Sequence, residues 1–316
     1  MNETKQPSRA EIEHAARLLR AGKLVAFPTE TVYGLGANAL DEAAVARIFA
    51  AKGRPPPSPV IVHVSSVEMA RSVVAEWPER AELLAQRFWP GPLTLVLPKK
   101  AAVPVLVTAG LDTVGVRMPA HSVALALIEA SQCLVAAPSA NRFSQISPTT
   151  AEHVREGLGG RVDYILDGGP CTIGIESTVL SLAGPRPVLL RPGGVSRSEL
   201  EVLIGRIEQQ REVSGEAHPS PGMHPRHYSP RTPLLLVTNG DVPRQGSGAY
   251  LQLHRPPERE VRELVHMPSD SDSYAAQLYS TLHRLDALGY DWIAVDEPAD
   301  ASEWEAVRDR LRRAAE

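Results

Sequence analysis

Apolar positions along the chain alternate between helical and extended spacing, and capping residues mark several of the changes. Ser8-Arg9-Ala10-Glu11 has the serine-to-glutamate spacing of a capping box, an amphipathic stretch follows through Leu18 and Leu19, and Gly22 stands where a helix would end. Residues 23–27 then read as a strand. Asp41 caps a second helix that turns Val45, Ile48 and Phe49 to one face, and residues 59–64 are a short apolar run of the buried-strand kind. Further strands are predicted at 93–97, 113–118, 134–137, 164–166, 177–182 and 188–190. Helices are predicted at 122–130, at 150–156 and, after a second capping box at Ser196-Arg197-Ser198-Glu199, through about 209. This interleaving predicts a twisted α/β sheet with helices packed on it.

The pattern breaks at residues 211–232, REVSGEAHPSPGMHPRHYSPRT, which have neither period and are dense in Pro, Gly, Ser and His. Beyond them, strands are predicted at 234–237, 249–253, 261–266 and 292–296 and helices at 274–288 and 303–315. The organisation expected is a domain over 1–210, a linker over 211–232 and a small α/β domain over 233–316, without internal repeats.

Composition narrows the function classes. With 43% hydrophobic and 22% charged residues in 316, the chain is of the globular, folded kind. A formal net charge of −4 supplies no broad basic field for nucleic acid, so any RNA contact has to be local and weak. Cys133 and Cys171 are far apart and lack zinc-ligand neighbours, which argues against a disulfide framework or a structural zinc. The first residues are charged throughout, and no run approaches the roughly 20 apolar residues of a membrane span. The expected compartment is the cytoplasm, with no membrane contact.

Neither a P-loop nor a dinucleotide fingerprint is present. Instead, several predicted strands run into polar loops, where ligands of open α/β sheets bind. Phe27-Pro-Thr-Glu-Thr-Val-Tyr-Gly-Leu-Gly36 offers Thr29, Glu30 and Thr31, with close approach allowed at Gly34 and Gly36. Lys52 and Arg54 flank Gly53 in a Pro-rich loop, a pair suited to polyphosphate, though a solvated lysine is the plainer reading of Lys52 alone. His63 taken alone reads as a core histidine. Arg117 sits among apolar strand residues and needs a partner, either a protein or a ligand carboxylate. Residues 136–149, 174–178 and 191–194 supply further hydroxyls, amides, glycines and Arg191. Three arginines and a lysine, with no metal cluster and no Ser-His-Asp order, favour orienting charged small molecules over covalent catalysis.

These segments resemble the YrdC-like family in its two-domain form. PTETVYGLG at 28–36, KGRPPPSPVIVHV at 52–64, FWPGPLTLVL at 88–97, TVGVRMP at 113–119, APSAN at 137–141, SPT at 147–149, ESTV at 176–179 and RPG at 191–193 carry the resemblance, and SPGMHPRHYSP at 220–230 looks like the loop joining the domains in longer members. The resemblance implies an α/β fold with a twisted open mixed sheet and flanking helices, plus a second, smaller, Rossmann-like domain. It implies synthesis of threonylcarbamoyl-AMP and pyrophosphate from L-threonine, bicarbonate or CO2 and ATP. Magnesium would ride on the phosphates without a dedicated protein cage, and a separate transferase would modify position 37 of tRNA.

Carried over by resemblance, Lys52 and Arg54 would be catalytic. Thr31, His63, Arg117, the main chain at Ala137, and Ser177 would hold threonine. Arg54, Ser58, Thr113, Ser139, Asn141, Ser147 and Arg191 would line the nucleotide region, with Tyr228 closing over it. The chain departs from the family in having Phe143-Ser144 where Ser-Gly is usual and His224-Pro225 where Lys-Tyr is usual, which puts the loop shape near the nucleotide in question. Two alternatives compete: a double-stranded RNA or tRNA-binding module without turnover, and carbamoyl transfer to another acceptor.

Overall fold

The computed structural model describes residues 6–55, 58–209 and 227–315, so Pro56-Pro57 and most of the linker, including His224-Pro225, lie outside the described residues. The chain order is α1 (Arg9–Arg20), β1 (Val25–Phe27), β2 (Gly34–Asn38), α2 (Glu42–Lys52), β3 (Val62–His63), α3 (Val67–Val73), α4 (Glu79–Phe88), β4 (Leu93–Pro98), α5 (Val105–Thr108), β5 (Thr113–Arg117), α6 (Ser122–Ser131) and β6 (Val135–Ala136). It continues with α7 (Ala151–Leu158), β7 (Tyr164–Ile165), β8 (Thr178–Ser181), β9 (Val188–Arg191), α8 (Arg197–Ile204) and β10 (Glu208–Gln209). The second unit adds β11 (Leu234–Val237), β12 (Gly248–Gln252), β13 (Glu263–His266), α9 (Ser271–Ala287), β14 (Trp292–Asp296) and α10 (Glu305–Ala315).

Both capping boxes form, with Ser8 and Ser196 accepting from the amides of Glu11 and Glu199, and Asp41 caps α2 through the amide of Ala44. The last helix predicted before the linker is shorter than expected. Gly205 takes φ +78°, which ends α8, and residues 208–209 pair as β10 instead. The sequence pattern also missed α3, α4 and α5 and merged β2 into a loop, because β2 is Gly-Leu-Gly-Ala-Asn and lacks β-branched residues.

Residues of the first unit form one mixed sheet in the order β10-β9-β8-β4-β5-β3-β6-β2-β1-β7, and those of the second form a four-stranded sheet, β11-β14-β12-β13, in which every pairing is parallel. The expected α/β architecture, with a mixed sheet and a smaller parallel one, is therefore what the chain adopts. Among the described residues no helix is long and apolar enough to cross a membrane.

The larger apolar cluster of the second unit is shared with the first. Leu278, Tyr279 and Leu282 of α9 and Leu311 of α10 share a buried cluster with Val32, Ile146 and Ile175 of the first unit and with Tyr228. Gly174, at φ +78°, lets its loop lie on α9: a Cβ there would stand 2.5 Å from the Ala275 carbonyl oxygen. On the same seam His153 of α7 stacks on His283 of α9 with centroids 3.9 Å apart, and His283 Nε2 lies 3.1 Å from the Ser147 carbonyl oxygen.

Burial, then the facing His153 charge, pushes His283 down to about 4, although Glu156 and Asp286 pull the other way. A histidine with a folded pKa below its unfolded value of about 6.5 binds fewer protons when folded, so its contribution is lost as pH falls through that window. His283→Gln should reduce the fall in unfolding free energy between pH 7 and pH 5 by about 1 to 2 kcal/mol, read by urea titration at both pH values. Equal falls in the two proteins would remove the stacked pair as a determinant of acid stability.

Candidate active site

The loop between β1 and β2 is closed by its own hydroxyl. Thr29 Oγ1 donates to the Val32 carbonyl oxygen at 2.7 Å, accepts from the amides of Thr31 and Val32, and lies 2.8 Å from Thr31 Oγ1. That fixes Thr31, fully buried, in the wall of a cleft of about 630 Å³, part of it open to solvent. Gly34 also lines the cleft. Gly36 does not: a Cβ there would stand 2.8 Å from the Phe27 ring and 2.9 Å from Val135, so this glycine serves packing beneath the loop, contrary to the ligand approach expected of it.

Gly53, at φ +63°, terminates α2 and leaves Lys52 and Arg54 turned into the cleft and buried. Lys52 Nζ donates to the carbonyl oxygens of Ser139 and Asn141, the latter at 2.6 Å, so this lysine is a latch on the 139–141 loop and not a solvated surface charge. Burial, then the Arg54 charge, holds its pKa well below the usual lysine value. Arg54 donates to the Pro59 carbonyl oxygen at 2.9 Å, and burial lowers it to about 10. Asn141 Nδ2 holds the same loop through the carbonyl oxygens of Arg142 and Gln145. Ser144 adopts φ +65°, the left-handed conformation that the glycine usual at this position would take freely. Phe143 packs edge-on to His227 at 6.0 Å and the Ser229 amide donates to the Ser144 carbonyl oxygen, so the Phe143-Ser144 pair is seated against the last residues of the linker.

His63 and Arg117 are register partners on the parallel strands β3 and β5. His63 is buried like a core histidine and also lines the cleft; burial, then the Arg117 charge, lowers it to about 3, so the imidazole is neutral. Arg117 already has a protein carboxylate: its Nη2 is 2.7 Å from Glu30 Oε1, with Nε donating to the Gly91 carbonyl oxygen at 3.2 Å. The sequence left that partner open and then assigned it to threonine alone; the tertiary fold supplies Glu30. Ser177, just ahead of β8, is 2.8 Å from Thr94 through their hydroxyls, and Arg191 at the end of β9 donates to the Ser177 carbonyl oxygen at 2.9 Å and to Oγ at 3.2 Å.

The cleft thus gathers Thr31, Lys52, Arg54, His63, Arg117, Ala137, Ser139, Asn141, Ser177, Arg191 and Tyr228. Three expected residues are not in its wall. Ser58 is buried elsewhere, Thr113 starts β5 at the end opposite Arg117, and Ser147 stands behind the wall, donating to Glu176 Oε1 at 2.6 Å. Because β3 and β6 pair antiparallel, His63 and Ala137 leave their strands in opposite directions yet reach the same cleft. It spans the short middle of the sheet, not the one edge of carboxyl ends that was expected.

Sequence reasoning missed Glu176, Phe143 and His227 as wall residues. Glu176 stood inside a quoted motif, and a carboxylate between a glycine-bearing loop and two hydroxyls was the available signal. Burial alone would raise its pKa, but the Arg310 and Arg191 charges and the Ser147 hydroxyl overcome that and hold it below the usual carboxylate range. Tyr228 is buried, its ring 5.1 Å from the Arg310 guanidinium and 5.9 Å from the Tyr279 ring, while its hydroxyl has no partner among the described residues. A protein-held magnesium does not fit this donor set: no group of three or more His, Cys, Asp or Glu is assembled among the described residues, and both Glu176 oxygens already accept hydrogen bonds.

The wall therefore presents several cations, a neutral imidazole and short hydroxyls, a donor set suited to anionic groups. The Sua5/YciO/YrdC family model, described as telomere recombination, matches residues 17–193, and a model of the threonylcarbamoyl-AMP synthase C-terminal domain matches 195–316. Threonylcarbamoyl-AMP synthase of Pyrococcus abyssi is 45% identical, covering 96% of this chain and 94% of that one, and its Bacillus subtilis counterpart is 44% identical over 96% and 93%. The crystal structure of Pyrococcus abyssi Sua5 complexed with L-threonine superposes with a TM-score of 0.91 at 43% identity, covering 98% of this chain and 96% of that one. By full-length likeness in sequence and fold, the chain belongs to the Sua5/YciO/YrdC family, in its two-domain threonylcarbamoyl-AMP synthase branch.

Proposed function

We propose that this chain is an L-threonylcarbamoyladenylate synthase, making threonylcarbamoyl-AMP and pyrophosphate from L-threonine, bicarbonate or CO2, and ATP. The observation that carries the reading is the convergence in one cleft of Thr31, His63, Arg117 and Ser177 with Lys52, Arg54, Asn141 and Arg191. Full-length relatives above 40% identity bear the synthase name, and one was crystallised with L-threonine.

The first group suits an amino acid. Arg117 can donate to the threonine carboxylate beside Glu30, whose own carboxylate faces the same guanidinium and favours the nearby ammonium. Neutral His63 does not repel that ammonium and leaves room for its proton to depart. Bicarbonate takes the ammonium proton, giving CO2, water and the neutral amine; the amine attacks CO2 and gives up a second proton to solvent to become a carbamate, and a carbamate oxygen then attacks the α-phosphorus as pyrophosphate leaves. No enzyme nucleophile is required, and the protein's contribution is alignment and exclusion of water. Magnesium enters with the nucleotide, as MgATP. Lys52, Arg54 and Arg191 surround the region suited to its phosphates, where fixed positive charge stabilises the departing pyrophosphate. The product, a mixed anhydride, suits a cytoplasmic transferase acting on adenosine 37 of tRNA, with tRNA contact on the synthase weak and local.

Three outcomes test the reading. Pyrophosphate release by the purified chain with MgATP and bicarbonate should depend on L-threonine and be much slower with L-serine; release indifferent to the amino acid would sink it. Arg117→Lys, which keeps a charge for buried Glu30, should raise the threonine KM about tenfold or more while leaving the ATP KM within about threefold, because a lysine cannot fork between two carboxylates. An unchanged threonine KM removes Arg117 from threonine recognition. Lys52→Met should lower kcat for pyrophosphate release by about 100-fold, the size expected for one electrostatic group at a leaving anion. A parallel collapse of threonine affinity would mark Lys52 as a loop latch alone.

A further inference from the structure

Ser177 and Arg191 come from separate segments of the first unit, the 174–177 loop and the end of β9, and meet where Arg191 donates to the Ser177 carbonyl oxygen and hydroxyl. The two segments touch: a Cβ on Gly193 would stand 2.4 Å from the Glu176 carbonyl oxygen and from the Ser177 carbonyl carbon. What holds them from outside is one side chain of the second unit. Arg310 of α10 has a side chain with no solvent exposure; its Nε donates to Glu176 Oε2 at 2.7 Å and its Nη2 to the Pro192 carbonyl oxygen at 2.9 Å. Each of those acceptors is one residue from a cleft residue, Ser177 in one case and Arg191 in the other. The remaining Nη1 is held by Asp309 at 2.6 Å, and the guanidinium plane meets the Tyr228 ring, so the fork cannot turn away.

Glu176 is equally constrained. Tyr279 of α9 donates to its Oε2 at 3.1 Å and Ser147 to its Oε1 at 2.6 Å, so this carboxylate joins α9, α10 and the 139–149 loop at one point behind the cleft. A buried pair of this kind contributes little net stability compared with apolar residues of the same size, because desolvation of both charges offsets their attraction. Its value lies in the geometry that a planar, forked donor imposes.

We propose that Arg310 is a positioning residue of the active site: by straddling Glu176 and the Pro192 carbonyl, it braces from the second domain the contact that Ser177 and Arg191 make with each other, and with it the alignment of the two reactants. This rests on the synthase reading and gives the second domain a part in that chemistry. Loss of the fork leaves each ligand its own subsite but loosens the register between them. Alignment, not affinity, is what should suffer.

The test uses the full chain with Arg310→Lys, which retains the buried charge but cannot bridge both acceptors, and Arg310→Ala with and without millimolar guanidinium. At a temperature where all proteins are fully folded, Arg310→Lys should lower kcat at least about tenfold with both KM values within about threefold, and guanidinium should restore kcat of Arg310→Ala several-fold. Hydrogen exchange should accelerate in peptides spanning 174–178 and 190–194 and not in the central strands. A kcat within twofold of the unsubstituted chain, or unchanged exchange in those two peptides, overturns the proposal. The unsubstituted chain assayed alongside keeps the two claims apart: if it releases no threonine-dependent pyrophosphate the synthase reading fails, while the exchange measurement still decides the clamp.

Discussion

Buried positive charge is the constraint around which this molecule is organised. Lys52, Arg54, Arg117 and Arg191 are each less than a tenth exposed and line one cleft, and Arg310 lies just behind it. In a low-dielectric surrounding such charges persist only if acceptors meet them. The fold supplies these from unexpected quarters: carbonyl oxygens of the 139–141 loop for Lys52, Pro59 for Arg54, Ser177 for Arg191, and carboxylates of Glu30 and Glu176 for Arg117 and Arg310. Because most of these acceptors are neutral carbonyls, the cleft keeps an excess of positive charge, and an anionic ligand completes the compensation.

The same constraint explains why the two units are inseparable. Val32, Ile146 and Ile175 lie in the core of α9 and α10, so the first unit's loops are packed by the second unit's helices. Tyr279 and Arg310 then reach past that apolar seam to the carboxylate at its centre. Removing the helices would expose apolar surface and strand Glu176 at once. The second unit thus backs the wall of the site, while among the described residues His227 and Tyr228, at the end of the linker, line the cleft directly.

Antiparallel pairing in the middle of the sheet shapes the rest. In a wholly parallel sheet the polar loops would stand at one edge. Here β3 and β6 are two residues long and run opposite ways, so loops from both edges fold over a short span and meet. Residues from opposite ends of the strands then line one cleft.

Much of this was legible in the chain itself. Caps at Ser8, Asp41 and Ser196 act over three residues, so local sequence decided them, and the polar loops bearing Thr31, Ser139, Asn141, Ser177 and Arg191 stood out beside apolar strands, whereas Lys52 and His63 taken alone read as a solvated lysine and a core histidine. What the chain could not declare was partnership across distance. Glu30 as the counter-charge of Arg117, Lys52 as a latch on a loop almost ninety residues later, and Arg310 beside Glu176 are pairings between side chains with no periodic or spacing relation. Gly36 shows the converse: its glycine reads as room for a ligand, and only the Phe27 ring packed against it reveals that the room is already filled. Sequence sets which groups must be satisfied, since burial and charge are properties of residue type. Tertiary structure decides by whom, since a buried charge takes whichever acceptor the packed chain brings within about 3 Å.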